Sequence, residues 1–154
     1  MIRWLILTTV VVVLDQLSKL AITRAISYGS GVEIAPFFNL VHVHNKGAAF
    51  SFLSNASGWQ REFFIAIAVI AIIWVVFLLR KYSRQTLFCF ALSLILAGAI
   101  GNVIDRVWLG AVIDFLDFHA AGYHFPAFNV ADSAITCGAA ILIFDSLRRK
   151  PEEA

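Results

Sequence analysis

Four long apolar stretches constrain this chain more than any other feature. They run from about Trp4 to Ile22, Phe63 to Leu79, Leu87 to Val107 and Phe128 to Leu147. Each approaches the ~20 residues that a helix needs to cross the hydrocarbon core of a bilayer. A segment in lipid must satisfy its own backbone, so only helices and closed barrels span membranes. No repeated ten-residue alternation suggests a barrel. The expected fold is therefore an all-α polytopic membrane protein with four transmembrane helices, arranged as a single membrane domain over residues 1–154. Composition agrees: 60% of the residues are hydrophobic and 14% are charged, where a soluble domain has roughly a quarter charged. A net charge of +2, scattered along the chain, gives no footprint for nucleic acid. Cys89 and Cys137 sit inside apolar runs without metal-ligand spacing and read as ordinary buried thiols. Arg3 and the run after it have the outline of a cleavable secretory signal. Asp15 and Lys19 interrupt that run, however, and no small-residue cleavage site follows. It is expected to be retained as the first span.

Orientation follows from the basic residues. Arg3, then Arg80, Lys81 and Arg84, then Arg148, Arg149 and Lys150 all fall on one side of a four-span chain. Those seven outnumber Arg24, Lys46, Arg61 and Arg106 near the opposite face, so both termini are expected in the cytoplasm. The segments of about 23–62 and 108–126 then face outward, to the periplasm. The longer is too long for a simple helix hairpin, and long loops in compact domains are usually functional. Its stretch Phe37 to His44 alternates in part like a strand, and Gly47 to Leu53 continues with small and apolar residues. The reading is a small periplasmic β-sheet resting on the membrane surface. Ser57 to Glu62 either begins a short interfacial helix or leads directly into the second span. The shorter outer segment is rich in aromatic residues, which suits the interface.

Ionisable residues in or beside a span are functional candidates. Of ten acidic residues, Glu33, Glu62, Asp145, Glu152 and Glu153 read as solvated charges. Asp105 lies near the outer end of the third span, and Asp132 about one turn inside the outer end of the fourth. Asp114 and Asp117 lie in the loop between them. Four carboxylates thus crowd one face at one depth. Two carboxylates about 3 Å apart cannot both ionise, which makes one an acid and the other a base. Such a pair can draw a proton from water and assist an amine leaving group. Asp105 is followed by Arg106, which should hold it ionised, and Asp15 stands at i, i+4 from Lys19 as a helical ion pair. Both read as structural. Asp114 and Asp132 lack an adjacent cation and are the better candidates for the pair; Asp117 is the nearest competitor, and spacing does not exclude it.

Five segments together resemble the lipoprotein signal peptidase family, also called signal peptidase II. They are Asp15-Gln16-Leu17-Ser18-Lys19, Asn45-Lys46-Gly47-Ala48-Ala49-Phe50-Ser51, Gly101-Asn102-Val103-Ile104-Asp105-Arg106, Val112-Ile113-Asp114-Phe115 and Phe128-Asn129-Val130-Ala131-Asp132-Ser133. Singly each is weak; in this order and at these membrane positions they are specific. The resemblance implies a bacterial inner-membrane aspartic peptidase with its active site at the periplasmic face and a catalytic pair formed by Asp114 and Asp132. Asn102 and Asn129 resemble residues that line the site. Asp105, Arg106, Asp15 and Lys19 match positions with structural or substrate-orienting roles, and Asn45 and Gly47 match a loop packed over the substrate. The implied substrates are prolipoproteins cut before a cysteine that carries a diacylglyceryl group, with membrane lipid as the other partner, no metal or cofactor, and a monomeric enzyme.

Other chemistries fit less well. Ser18 and Lys19 are adjacent on a helix and diverge by about 100°, which prevents a serine–lysine pair. His42 and His44 would share a strand face, with His119 and His124 in the other loop, but no His-Glu-x-x-His helix exists. Loop histidines usually just meet solvent. A transporter with Asp15, Asp105 and Asp132 on an ion path would place its site near the midplane, whereas these acids gather at one face. A membrane scaffold would leave the acid cluster unexplained.

Overall fold

The structure, a computed structural model, describes residues 1–47 and 59–148. In chain order it holds helix α1 (Ile2–Ala25), strands β1 (Gly31–Ala35) and β2 (Phe38–Asn45), helices α2 (Gln60–Lys81) and α3 (Thr86–Leu109), strands β3 (Val112–Ala120) and β4 (Tyr123–His124), and helix α4 (Val130–Arg148). All four helices are long and apolar enough to cross a membrane. The first three overrun the expected spans at both ends, because a helix continues past the hydrocarbon edge wherever its backbone remains hydrogen-bonded; the fourth starts at Val130, two residues inside its expected span, where Asn129 caps it. Gln60, Arg61 and Glu62 lead directly into the second span as its first turn.

The central helix is α3: half of its apolar window is buried, against 22% or less in each of the others. Small residues let α4 approach it closely. A methyl on Gly98 would run into the Ala131 carbonyl, and one on Gly138 would lie 2.7 Å from the Ala91 carbonyl oxygen. At the ends away from the sheet, Trp4, Val75, Leu79, Cys89, Leu92 and Leu96 form a core that joins α1, α2 and α3. Ile6, Val10, Leu17, Ile70, Ile73, Ile143 and Phe144 point outward and exposed, a surface suited to lipid.

The four strands form one antiparallel sheet in the order β1-β2-β3-β4. Its position follows from connectivity: β1 and β2 lie between α1 and α2, and β3 and β4 between α3 and α4, so the sheet sits at one end of the helices. Gly110 ends α3 in the left-handed conformation, φ 77°, and its N–H caps the Arg106 carbonyl. That turn lets β3 start two residues later. Pairing of β2 with β3 sets Val43 opposite Asp114, Asn45 opposite Val112, and Asn39 opposite Asp117. Ile22, Ile26 and Phe115 pack together and fasten the sheet to the end of α1.

The expected strand over Phe37–His44 corresponds to β2. The rest of the sheet corrects the sequence reading. Its principal partner, β3, comes from the segment read as an interfacial loop, and β1 precedes the expected strand. The first four residues of β3 are all buried, so the run lacks the alternation that marks a half-exposed strand. Beyond Gly47, the continuation expected over Ala48 to Leu53 and the possible helix start at Ser57 and Gly58 lie outside the described residues.

Candidate active site

The acids separate into two connected groups. In the first, Lys19 Nζ lies 2.8 Å from Asp15 Oδ2 and 2.8 Å from Asp105 Oδ2. All three residues are buried. The expected i, i+4 pair within α1 is present, but Asp105 pairs with Lys19 and not with its neighbour Arg106. Adjacent helix positions point about 100° apart, so the aspartate faces α1 while the guanidinium faces away. Gln16 Nε2 donates to both carboxylates, at 3.1 Å to Asp15 and 3.0 Å to Asp105. Backbone donors add to these: Ala131 N–H reaches Asp15 Oδ1 at 2.9 Å, and Ile113 N–H reaches Asp105 Oδ2, the oxygen that also meets Lys19, at 3.1 Å. One buried charge cluster therefore joins α1, α3, β3 and the first turn of α4. Sequence reasoning left Gln16 out, although its place between Asp15 and Lys19 inside a span was the available signal.

The second group is built on the start of α4. Asn129 Oδ1 accepts the Asp132 N–H at 2.9 Å, and Asp132 Oδ2 accepts the Asn129 N–H at 3.3 Å. This reciprocal arrangement is a capping box, with a carboxylate favourably placed at a helix N-terminus. The Asn129 side-chain amide also donates to Asp114 Oδ1 at 2.7 Å and to the Ile113 carbonyl at 3.1 Å. A single asparagine thus holds both Asp114 and Asp132. Asn102 Nδ2 donates to Asp132 Oδ1 at 2.8 Å, while its Oδ1 accepts from Lys19 Nζ at 3.3 Å. Asn45, at the end of β2, donates to Asp114 Oδ2 at 3.0 Å and accepts the Gly47 N–H at 2.9 Å.

Asp114 is only 1% exposed. Burial, followed by the charge of Asp132, pushes its carboxyl up to about 7 against the opposing hydrogen bonds of Asn45 and Asn129 and the charge of Lys19. The Arg106 guanidinium lies within Coulombic reach of Asp132, Asp114 and Asp105. The expectation that Asp114 and Asp132 stand apart from any cation therefore fails in space, although it holds along the sequence. A cavity of about 340 Å³ opens beside Asp114, lined also by Val43, His44, Asn45, Lys46, Pro126 and Ala127. A larger cavity of about 440 Å³, lined by residues including Gln16, Lys19, His42, Asp105 and Trp108, touches neither Asp114 nor Asp132.

Asp117 stands apart from this arrangement. It is three residues from Asp114 along β3, so the pleat sends the two side chains to opposite faces. It accepts from His124 Nδ1 at 2.9 Å and from Asn39 Nδ2 at 2.8 Å. Burial would raise its carboxyl, but the hydrogen bonds from His124 and Asn39 outweigh that and leave it below the ordinary value. His42, expected to meet solvent, is buried, and its Nδ1–H donates to the Ile26 carbonyl at 2.9 Å. Among the described residues no three His, Cys, Asp or Glu side chains gather in a way that could hold a metal ion. Ser18 and Ser133 each donate to a carbonyl of the local backbone, Asp15 and Asn129 respectively.

Four helices long and apolar enough to cross a membrane, with buried acids gathered at one end, define a multi-pass membrane protein, and known proteins share this fold. A solved structure described as "Bacterial membrane enzyme structure by the in meso method at 2.3 A resolution" superposes with a TM-score of 0.86 at 36% identity, over 99% of this chain and 92% of that one. A second, solved by the same method at 1.9 Å, gives a TM-score of 0.84 over 96% and 94%. Residues 7–148 match the family described as Signal peptidase (SPase) II. A lipoprotein signal peptidase of Paraburkholderia phymatum is 58% identical over 146 residues, covering 95% of this chain and 88% of the relative. Another, from Janthinobacterium sp. (strain Marseille), is 57% identical over 149 residues, covering 97% and 90%. The chain belongs to the signal peptidase II family and is a hydrolase.

Proposed function

We propose that this enzyme is an aspartic endopeptidase that removes the signal peptide from diacylglyceryl-modified prolipoproteins, cutting before the lipidated cysteine, with Asp114 and Asp132 as its catalytic pair. The observation that carries this reading is Asn129: one buried residue binds both carboxylates, Asp114 through its side-chain amide and Asp132 through its backbone N–H, and so ties them together at the α4 N-terminus. Asp114, raised to about 7, holds the shared proton and donates it as a hydrogen bond to the scissile carbonyl. Asp132 takes a proton from the attacking water. As the tetrahedral intermediate collapses, a proton passes to the leaving amine and the pair returns to its starting state. Protonation belongs to the pair as a unit.

Supporting roles follow from the contacts. Asn102 and Asn45 orient one carboxylate each. The Asp15–Lys19–Asp105 cluster fixes the helices that carry the pair. Arg106 supplies positive charge beside it, and Gly47 completes the Asn45 turn. The basic clusters at the far helix ends support an inner-membrane protein with cytoplasmic termini, a periplasmic sheet and a periplasmic active site. A diacylglyceryl group confined to the bilayer would deliver its peptide bond to that depth. The single-domain, monomeric reading is part of the same proposal.

The test is cleavage of a purified diacylglyceryl-modified precursor by Asp114→Asn and Asp132→Asn. Each variant should insert and melt like the parent yet show no turnover. Near-parental turnover by either would overturn the assignment.

A further inference from the structure

The start of α2 reaches both the end of α3 and the Asn45–Gly47 turn. Arg61 and Phe64 are three residues apart and share a helix face. The Arg61 guanidinium donates through Nε to the Arg106 carbonyl and through Nη2 to the Val107 carbonyl, both at 2.9 Å. These are carbonyls of the last turn of α3, where positive charge also meets the negative end of the helix dipole. Arg61 thereby clamps the turn that bears Arg106. One turn further along α2, the Phe64 ring lies under the Arg106 guanidinium, 5.3 Å from carbon to centroid. The same ring fills the space where Gly47 would carry a Cβ, and Gly47 itself has φ +104°. Gly47 N–H is held by Asn45, whose amide binds Asp114. One aromatic ring thus backs the cation beside the pair and, through Gly47 and Asn45, the amide that orients Asp114.

We propose that Phe64 and Arg61 are positioning residues for the reaction: Phe64 sets the Arg106 guanidinium and the Asn45–Gly47 turn against the carboxylate pair, and Arg61 fixes the α3 end on which Arg106 rides. This rests on the reading of Asp114 and Asp132 as the working pair. The charged groups around the Arg106 guanidinium are Asp132 on α4, Asp114 on β3 and Asp105 on α3; Lys19 on α1 acts on Asp114, and His44 and Lys46 line the Asp114 cavity. Arg106 is the cation here that lies over an aromatic face.

The experiment compares Phe64→Leu, Phe64→Tyr and Arg61→Ala with the parent on a diacylglyceryl-modified precursor across pH. Leucine keeps apolar bulk against Gly47 but offers no ring face. Phe64→Leu should lower kcat by about tenfold, in line with loss of a partly desolvated cation–π contact, and leave KM within about twofold. With the guanidinium less well held, the carboxylates lose nearby positive charge. The pH profile should then move upward by about half a unit, roughly a threefold change in proton affinity. Phe64→Tyr should restore both, and Arg61→Ala should move both in the same direction as Phe64→Leu. Phe64→Met replaces the leucine variant should that one fail to fold. A profile that superposes on the parent after scaling would reduce Phe64 to packing, and a raised KM at unchanged kcat would make it a substrate contact; either overturns the proposal. Asp114→Asn and Asp132→Asn in the same assay keep the two readings apart. Their turnover would remove the catalytic pair, whereas their silence beside an unshifted Phe64→Leu profile would remove only this inference.

Discussion

Replacing Lys19 with methionine should unfold this protein more readily than any single change at the carboxylate pair. The ammonium is 2% exposed and lies 2.8 Å from each of two buried carboxylates, Asp15 and Asp105. Removing one partner of a buried ion pair costs about 3–5 kcal/mol, because the other charge is left uncompensated. Two carboxylates are stranded here, which pushes toward the upper end. Their hydrogen bonds from Gln16, Ala131 and Ile113 survive and pull the figure back. About 4 kcal/mol is the expected loss; at about 2–4 °C per kcal/mol for a chain of this size, the midpoint falls by roughly 10–15 °C. Thermal unfolding in detergent micelles measures it. The control is the triple variant Asp15→Asn, Lys19→Met, Asp105→Asn, which removes all three charges. It should recover most of the loss, since neutral replacement of a buried ion cluster is often tolerated. If Lys19→Met melts within about 2 °C of the parent, or the triple variant is no better than the single one, the charge-compensation account is wrong.

The Asp114 carboxyl, raised to about 7 by burial and by Asp132, gives the reaction an alkaline limit. Turnover should fall as pH rises through that value and the shared proton is lost; a kcat/KM that stays flat to about pH 9 would refute the assignment. The same shift has a stability sign. The folded state holds a proton that the unfolded chain releases near the ordinary carboxyl value, so this contribution is complete below that value and lost as pH climbs through about 7. Gly98→Ala should lower the melting temperature, because a methyl there meets the Ala131 carbonyl and sits 2.6 Å from Ile135 Cγ1. Overpacking of this kind costs about 1–3 kcal/mol, and an unchanged melt would show that α3 and α4 separate freely. Precursor without its diacylglyceryl group should remain uncut in the purified assay; equal processing of both forms would remove the lipid from substrate recognition.

The helices were legible because length and apolarity in lipid leave little choice. The strands were less so. Partial alternation exposed β2, but β3 opens with four buried residues and offers no period to read. That omission had a chemical consequence: with β3 taken as a loop, spacing left Asp114 and Asp117 as rivals that only the family resemblance ranked, whereas the strand pleat sends them to opposite faces and gives Asp117 its own partners, His124 and Asn39. Contacts within one helix could be read from spacing, as Asp15 and Lys19 show. Contacts between helices could not. Asp105 was assigned to Arg106 because they are neighbours in sequence, yet its cation is on α1.

The correction at Asp105 bears on the working pair through Asn102, the residue shared by the two acid groups. Its carbonyl oxygen faces the Lys19 ammonium and its amide nitrogen faces Asp132. An ammonium has only donors to offer and a carboxylate only acceptors, so these neighbours fix which way the amide points. Flipped, Asn102 would set its oxygen against Asp132 and its nitrogen against Lys19, losing both bonds. The Lys19 charge that compensates Asp15 and Asp105 therefore also guarantees Asp132 a donor, without lying against the pair as a counter-ion that would hold both members ionised. Asn102→Asp should break this relay, because the new carboxylate would keep its acceptor toward Lys19 but face Asp132 with like charge. Turnover should drop by about 10²-fold or more while Lys19 keeps the helices together. A variant that melts near the parent temperature and cleaves at the parent rate would show that Asp132 does not need the donor.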